Sequence, residues 1–162
     1  MPDLDFITPR LAVGGGIWTR EGFEEVMRAG ITHIINTQLE FDDNSLRVEG
    51  DPSSRGAGLR ASREPEILWL AMDDDFFPKS TELFRTGARF ALKALEQRGT
   101  KVFVHCASGV HRAPMVALAI LRVLGYGRRD AVELLRARRP VADFPEVYLD
   151  SVEAFVAEWQ AV

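Results

Sequence analysis

Lys101-Val102-Phe103-Val104-His105-Cys106-Ala107-Ser108-Gly109-Val110-His111-Arg112-Ala113-Pro114-Met115 runs from a short apolar stretch, across a small loop, into the apolar segment Val116-Ala117-Leu118-Ala119-Ile120-Leu121. Residues 101–105 predict a buried strand, and residues 113–121 predict an apolar helix with proline in its first turn. The loop between them holds the chain's one cysteine and an arginine in a Cys-x5-Arg spacing. A strand, loop and helix in this order aim backbone N–H groups at the space over the helix N-terminus, and such a nest favours an anion. Cys106 falls at the floor of that nest.

The residue types suit a phosphoryl group. The reactive form of cysteine is the thiolate, which a helix N-terminus and a neighbouring Arg112 favour. Converging N–H donors from Ala107, Ser108, Gly109, Val110 and His111 can hold phosphoryl oxygens, and a guanidinium adds two parallel hydrogen bonds that lysine cannot match. Gly109 permits a turn that a Cβ obstructs, and Ala107 and Val110 are small enough to leave the site open. A lone cysteine is more often a buried apolar residue, and Cys-x5-Arg alone arises by chance. Here the preceding His105, the loop glycine, the strand before and the helix after make the context that favours a phosphate site.

These residues resemble the active-site loop of the cysteine-dependent protein phosphatases, in particular the compact dual-specificity branch with its His-Cys-x5-Arg pattern. The similarity extends over about residues 7–160. Ile7-Thr8-Pro9-Arg10-Leu11-Ala12-Val13-Gly14-Gly15 resembles that fold's opening strand, and Gly30-Ile31-Thr32-His33-Ile34-Ile35-Asn36 its next one. The resemblance implies a metal-independent, cofactor-free phosphomonoester hydrolase with Cys106 as nucleophile and Arg112 as phosphate clamp. Its implied substrate is a phosphorylated protein or a small phosphomonoester. Such an enzyme needs a general acid for the leaving oxygen. The loop Met72-Asp73-Asp74-Asp75-Phe76-Phe77-Pro78 offers three, and the family's spacing to the cysteine fits Asp74 best, with Asp73 and Asp75 still open. The acids also read as a solvated turn or as caps for a helix beginning near Ser80.

Position 113 departs from the pattern, because most dual-specificity phosphatases carry there a Ser or Thr whose hydroxyl helps the thiolate leave. With Ala113, capture of phosphate survives and breakdown of the phosphocysteine slows, so a burst of first product is expected. Arg112-Ala113-Pro114 also resembles the loop of glucan phosphatases. That leaves a phosphorylated glucan or metabolite as an alternative substrate, and a phosphate-binding module without turnover as a third reading. The loop has no lysine of the kind that inositol-phospholipid phosphatases use. His111 reads as a pocket wall, a partial cation or a rim residue. His105 reads as support for the cysteine, His33 as core, and Asn36 as either a hydrogen-bond donor to the loop or a strand-end turn.

One cysteine excludes an intramolecular disulfide and suggests a reducing cytoplasm, and no early apolar run of signal type or membrane-span length is visible. With one Cys and three scattered His, no metal site is expected. A net charge of −4 speaks against nucleic-acid binding, although six arginines between Arg122 and Arg139 make one late helical face basic. That face reads as solvated or as a docking patch. Nothing in the composition sets an oligomeric state.

The expected architecture is a single α/β domain over residues 1–162, with a largely parallel central sheet flanked by helices on both faces. Thr19 is placed to cap a helix running toward Gly30, with Phe23, Val26 and Met27 inward. Leu83, Phe84, Gly87, Ala88, Ala91, Ala94 and Leu95 make the apolar stripe of a helix before the nucleophile strand. Residues 41–66, rich in Asp, Ser, Gly and Arg, read as a long surface loop that could border the pocket. Phe76 and Phe77 read either as an aromatic rim or as packing under the acid loop.

Overall fold

The computed structural model describes residues 1–48 and 64–161. Most of the surface loop expected over residues 41–66 therefore lies outside the described residues. Five strands form one sheet: β1 (Leu4–Thr8), β2 (Leu11–Gly14), β3 (His33–Gln38), β4 (Glu66–Met72) and β5 (Val102–His105). Their order across the sheet is β1-β2-β5-β3-β4, with β1 and β2 antiparallel and the other neighbours parallel. Between them run α1 (Arg20–Arg28) and α2 (Thr81–Leu95), and after them α3 (Arg112–Val123), α4 (Arg128–Arg138) and α5 (Glu146–Gln160). A short 3-10 helix spans Asp43–Leu46.

The opening stretch differs from expectation in one respect. Residues 7–15 were expected to form one strand, but the chain turns back between Thr8 and Leu11 and forms a hairpin with residues 4–8. Pro9 lacks an N–H for a ladder and fixes φ, which suits a turn rather than a strand centre. The sheet is therefore mixed, with an antiparallel strand at one edge.

Period-two alternation splits the sheet into two apolar faces. Val102 and Val104 join Val13, Ile35 and Leu70 under α2, α3, α4 and α5, whereas Phe103 turns the other way to meet Ala12, Ile34 and the α1 residues Phe23 and Val26. Ten consecutive residues of α3, from 112 to 121, are buried, as expected for a helix enclosed by the sheet and its neighbours. Caps fix the helix starts: Thr19 accepts from the Gly22 N–H and Ser80 from the Leu83 N–H. His105 pairs in register with Gly14 of β2 and Asn36 of β3. The carboxyl ends of three parallel strands thus converge at Cys106, the position where such sheets place their sites.

Candidate active site

The loop after β5 is folded tightly around the cysteine. Gly109 adopts φ +69 and donates its N–H to Cys106 Sγ at 3.1 Å. A Cβ at residue 109 would meet the Gly14 carbonyl oxygen at 2.7 Å and the Arg139 guanidinium closer still, so glycine is required both for its dihedral and for space. Cys106 is 2 % exposed, and its backbone N–H donates to Gly14 O at 3.3 Å. The N-terminus of α3 has no side-chain cap, which leaves its N–H groups directed at the loop's interior.

Arg112 is buried in the first turn of α3. Its Nη1 donates to Glu40 Oε1 at 2.8 Å and to the Met72 carbonyl at 3.1 Å, while Nη2 reaches Glu40 Oε2 at 3.3 Å. Nε is buried and has no hydrogen-bond partner among the described residues. Burial works against the charge of Arg112, but Glu40 with the nearby Cys106 and Asp74 outweighs it and holds the pKa above the ordinary arginine value. Reciprocally, the hydrogen bond from Arg112 holds the Glu40 carboxyl below the ordinary glutamate value. Glu40 thus anchors one edge of the guanidinium and leaves the Nε edge for an incoming anion.

Asp74 is held over the loop from two sides. Tyr148 of α5 donates its hydroxyl to Asp74 Oδ1 at 2.9 Å, and His111 Nδ1 lies 3.0 Å from Asp74 Oδ2. The Tyr148 oxygen in turn accepts the Phe76 N–H at 3.2 Å. Burial, aided by the neighbouring carboxylates, pushes the Tyr148 hydroxyl up to about 12. Asp75 is engaged elsewhere, with Lys79 Nζ at 2.6 Å and the Phe77 N–H at 3.1 Å, and the Lys79 bond holds its carboxyl below the usual range. Asp73 is exposed. Of the three acids, Asp74 is the one brought against the phosphate loop.

Behind the cysteine, His105 Nε2 pairs with Asp43 Oδ2, and both residues are fully buried. The His105 ring stacks on Phe103, and its backbone carbonyl accepts from Thr37 Oγ1 at 2.8 Å. Asn36 does not bond the cysteine loop. Its amide donates to Phe41 O at 2.7 Å and its side-chain oxygen accepts the Gln38 N–H at 2.9 Å, so it builds the strand-end turn that carries Glu40 and Asp43 inward.

Sequence reasoning placed Arg139 on a basic outer face, yet it is 2 % exposed. Its Nε donates to Gly109 O at 2.8 Å and Nη2 to Ser108 O at 3.0 Å, and the same guanidinium pairs with Asp3 and Asp5 at 2.9 Å. Arg122 is likewise bound, to both oxygens of Glu153. The basic face is therefore smaller than its arginine count implies. Both aromatics of the acid loop are exposed, Phe76 at 52 % and Phe77 at 68 %, as is Trp18, whose ring meets Phe41 edge-on at 5.4 Å. They are surface side chains, not core, and of the three Phe76 meets the imidazole of His111. His33 is buried and bonded to Glu66 at 2.8 Å, far along β3 from the site.

The family model described as "Dual specificity phosphatase, catalytic domain" matches residues 21–153. The chain is 30% identical over 164 residues to a chestnut (Castanea sativa) amyloplastic phosphoglucan phosphatase, covering 96% of this chain and 40% of that protein. It is 37% identical over 113 residues to human dual specificity protein phosphatase 26, covering 69% of this chain and 47% of that protein. It thus spans less than half the length of these curated relatives. Among solved structures, the human tyrosine phosphatase-like serine/threonine/tyrosine-interacting protein superposes with a TM-score of 0.77 over 99% of both chains at 20% identity, a likeness of fold.

Proposed function

The chain belongs to the dual specificity phosphatase catalytic-domain family, whose catalytic class is the cysteine-dependent phosphatases, and from that premise we propose that it hydrolyses phosphomonoesters on protein tyrosine, serine or threonine through a phosphocysteine at Cys106. The observation that carries the reading is the Nε of buried Arg112, without a partner among the described residues, beside a thiol that already accepts the Gly109 N–H. An anion with several oxygens satisfies that edge and the uncapped α3 N-terminus together.

In the first step the Cys106 thiolate attacks phosphorus, the P–O bond to the leaving group breaks, and Asp74 gives that oxygen a proton. In the second, water attacks the phosphocysteine, Asp74 takes a water proton, and the thiolate departs with inorganic phosphate as the other product. Arg112 and the loop N–H groups follow the phosphoryl oxygens through both transition states.

A second substrate class, phosphorylated glucan, stays as the alternative because a relative that aligns with 96% of this chain is named a phosphoglucan phosphatase. The exposed Trp18, Phe76 and Phe77 offer faces to either a phenyl or a sugar ring. A lone reactive thiol without a second cysteine favours a reducing compartment, and cytoplasmic residence forms part of the proposal.

Stopped-flow hydrolysis of p-nitrophenyl phosphate in EDTA tests the chemistry. The wild type is expected to show a stoichiometric burst, Cys106→Ser none, and Ala113→Ser a faster steady state by roughly tenfold. Linear progress by the wild type from the first turnover would remove slow phosphocysteine breakdown. Release of phosphate from phosphopeptide compared with phosphorylated amylopectin then separates the two substrate classes.

A further inference from the structure

His111 joins three segments of the chain at one imidazole. Nδ1 lies 3.0 Å from Asp74 on the acid loop and Nε2 lies 3.0 Å from Asp143 on the α4–α5 connection, while the ring itself belongs to the phosphate loop. The connection is also docked by its backbone, since the Asp143 N–H donates to Val110 O at 2.8 Å. Phe76 closes the remaining side, its ring edge-on to the imidazole at 5.1 Å and stacked on Tyr148 at 5.8 Å. Phe76 holds φ +59, an arrangement that a non-glycine residue keeps only when its surroundings impose it. A neutral imidazole offers one donor and one acceptor. With a carboxylate facing each ring nitrogen, the orientation of the imidazole is set by both neighbours.

We propose that His111, backed by Asp143, is the positioning residue that holds the general-acid carboxyl of Asp74 over the phosphate loop. The inference rests on the phosphatase reading above. Tyr148 fixes Oδ1 and His111 fixes Oδ2, so the plane of the carboxyl is set from both sides. Asp74 is otherwise on an exposed loop, and its side chain remains 32 % exposed even with both contacts. Without the imidazole, Asp74 keeps its contact to Tyr148 of α5 but loses its side-chain tie to the phosphate loop. The role is separable from phosphate binding because His111→Ala removes the imidazole and keeps the backbone N–H of that position.

Positioning of an acid shows itself in dependence on the leaving group. A poor leaving group needs a correctly placed proton, whereas a strongly activated one departs without it. kcat/KM is to be measured for 2,4-dinitrophenyl phosphate and phenyl phosphate with wild type, His111→Ala and Asp143→Asn, with orthovanadate inhibition as the readout of the phosphate cradle. The ratio between the two esters is expected to widen about tenfold in His111→Ala and in the same direction, by less, in Asp143→Asn, with the vanadate constant moving far less than that ratio. Asp143→Asn lies outside the loop and carries the same test should His111→Ala fail to fold. A proportionate loss on both esters, or vanadate affinity falling in step with the rate, would show that His111 only shapes the cradle and would overturn the proposal. Inactivity of the wild type on every ester would instead overturn the phosphatase reading, and this inference with it.

Discussion

Arg139 closes the rear of the anion nest with a single guanidinium: two carbonyls of the phosphate loop on one side, Asp3 and Asp5 on the other. Those carbonyls are taken up by the guanidinium, which in the proposed reading leaves the loop's N–H groups for the anion. Arg139→Met should lower stability in a urea melt by about 2 kcal/mol, less than a fully buried pair because Asp3 and Asp5 stay partly in water. It should also weaken vanadate inhibition. An unchanged vanadate constant would show that the loop holds its shape without the brace. Asp74 was singled out by the resemblance's spacing, with Asp73 and Asp75 left open, whereas the strand, loop and helix that bring Cys106 beside Arg112 were legible because both residues fall in one short window. Glu40, Asp43, Arg139, Asp143 and Tyr148 were not, since they reach the site across 72, 62, 30, 32 and 74 residues from their partners. No local pattern records such a meeting. For Arg139 the arginine-rich neighbourhood even suggested the opposite, a solvated face.

Among the elements, α5 bears on the acid loop more than its distance in sequence suggests. Tyr148 receives the Phe76 N–H and Ser151, one turn later, receives the Lys79 N–H at 3.0 Å. Two hydroxyls three residues apart on a helix share a face, and on a face otherwise apolar that spacing was the one available signal that the helix does more than pack. Tyr148→Phe should cost about 1–2 kcal/mol at neutral pH by stranding the Phe76 N–H and one oxygen of Asp74. The sign of the pH effect follows from the hydroxyl being pushed above its ordinary 10.0 to about 12. A raised pKa means that the folded state holds this proton more tightly, so the contribution is complete below pH 10 and fades as pH rises toward 12. The stability difference between wild type and variant should be flat from pH 5 to 9 and shrink above 10. A difference that grows in alkali would contradict the assignment of Tyr148 as donor. The opening hairpin and the turn at Asn36 were misread or left open for a common reason: both are chain reversals whose hydrogen bonds, not their composition, define them.

Across the whole molecule, the expected α/β class and the strand-loop-helix at Cys106 follow from periodicity that survives in the structure, and the two faces of the sheet are unequal. Among the described residues, four helices pack on one face, and the nine-residue α1 with Leu46 of the short 3-10 helix packs on the other. Phe23, fully buried, is the largest side chain α1 contributes there. Phe23→Ala should destabilise by about 3–5 kcal/mol, read by chemical denaturation. Because Phe103 on the same face stacks on His105, the variant should also reduce catalytic rate in the folded fraction. A loss of stability with full activity per folded molecule would show that the thin face and the site are uncoupled.

The brace at Arg139 has a consequence for the order in which the molecule comes into being. Its acidic partners lie 136 and 134 residues upstream, on or beside the first strand, while the arginine follows α4. A ribosome therefore releases Asp3 and Asp5 long before their counterion exists. The nascent chain can lay down the hairpin and β3 early, but the Arg139 brace is missing until all five strands and four helices have been made. Chains truncated between residues 112 and 139 carry Cys106 and Arg112 without the brace, so on the proposed reading the cradle is completed only near the end of synthesis.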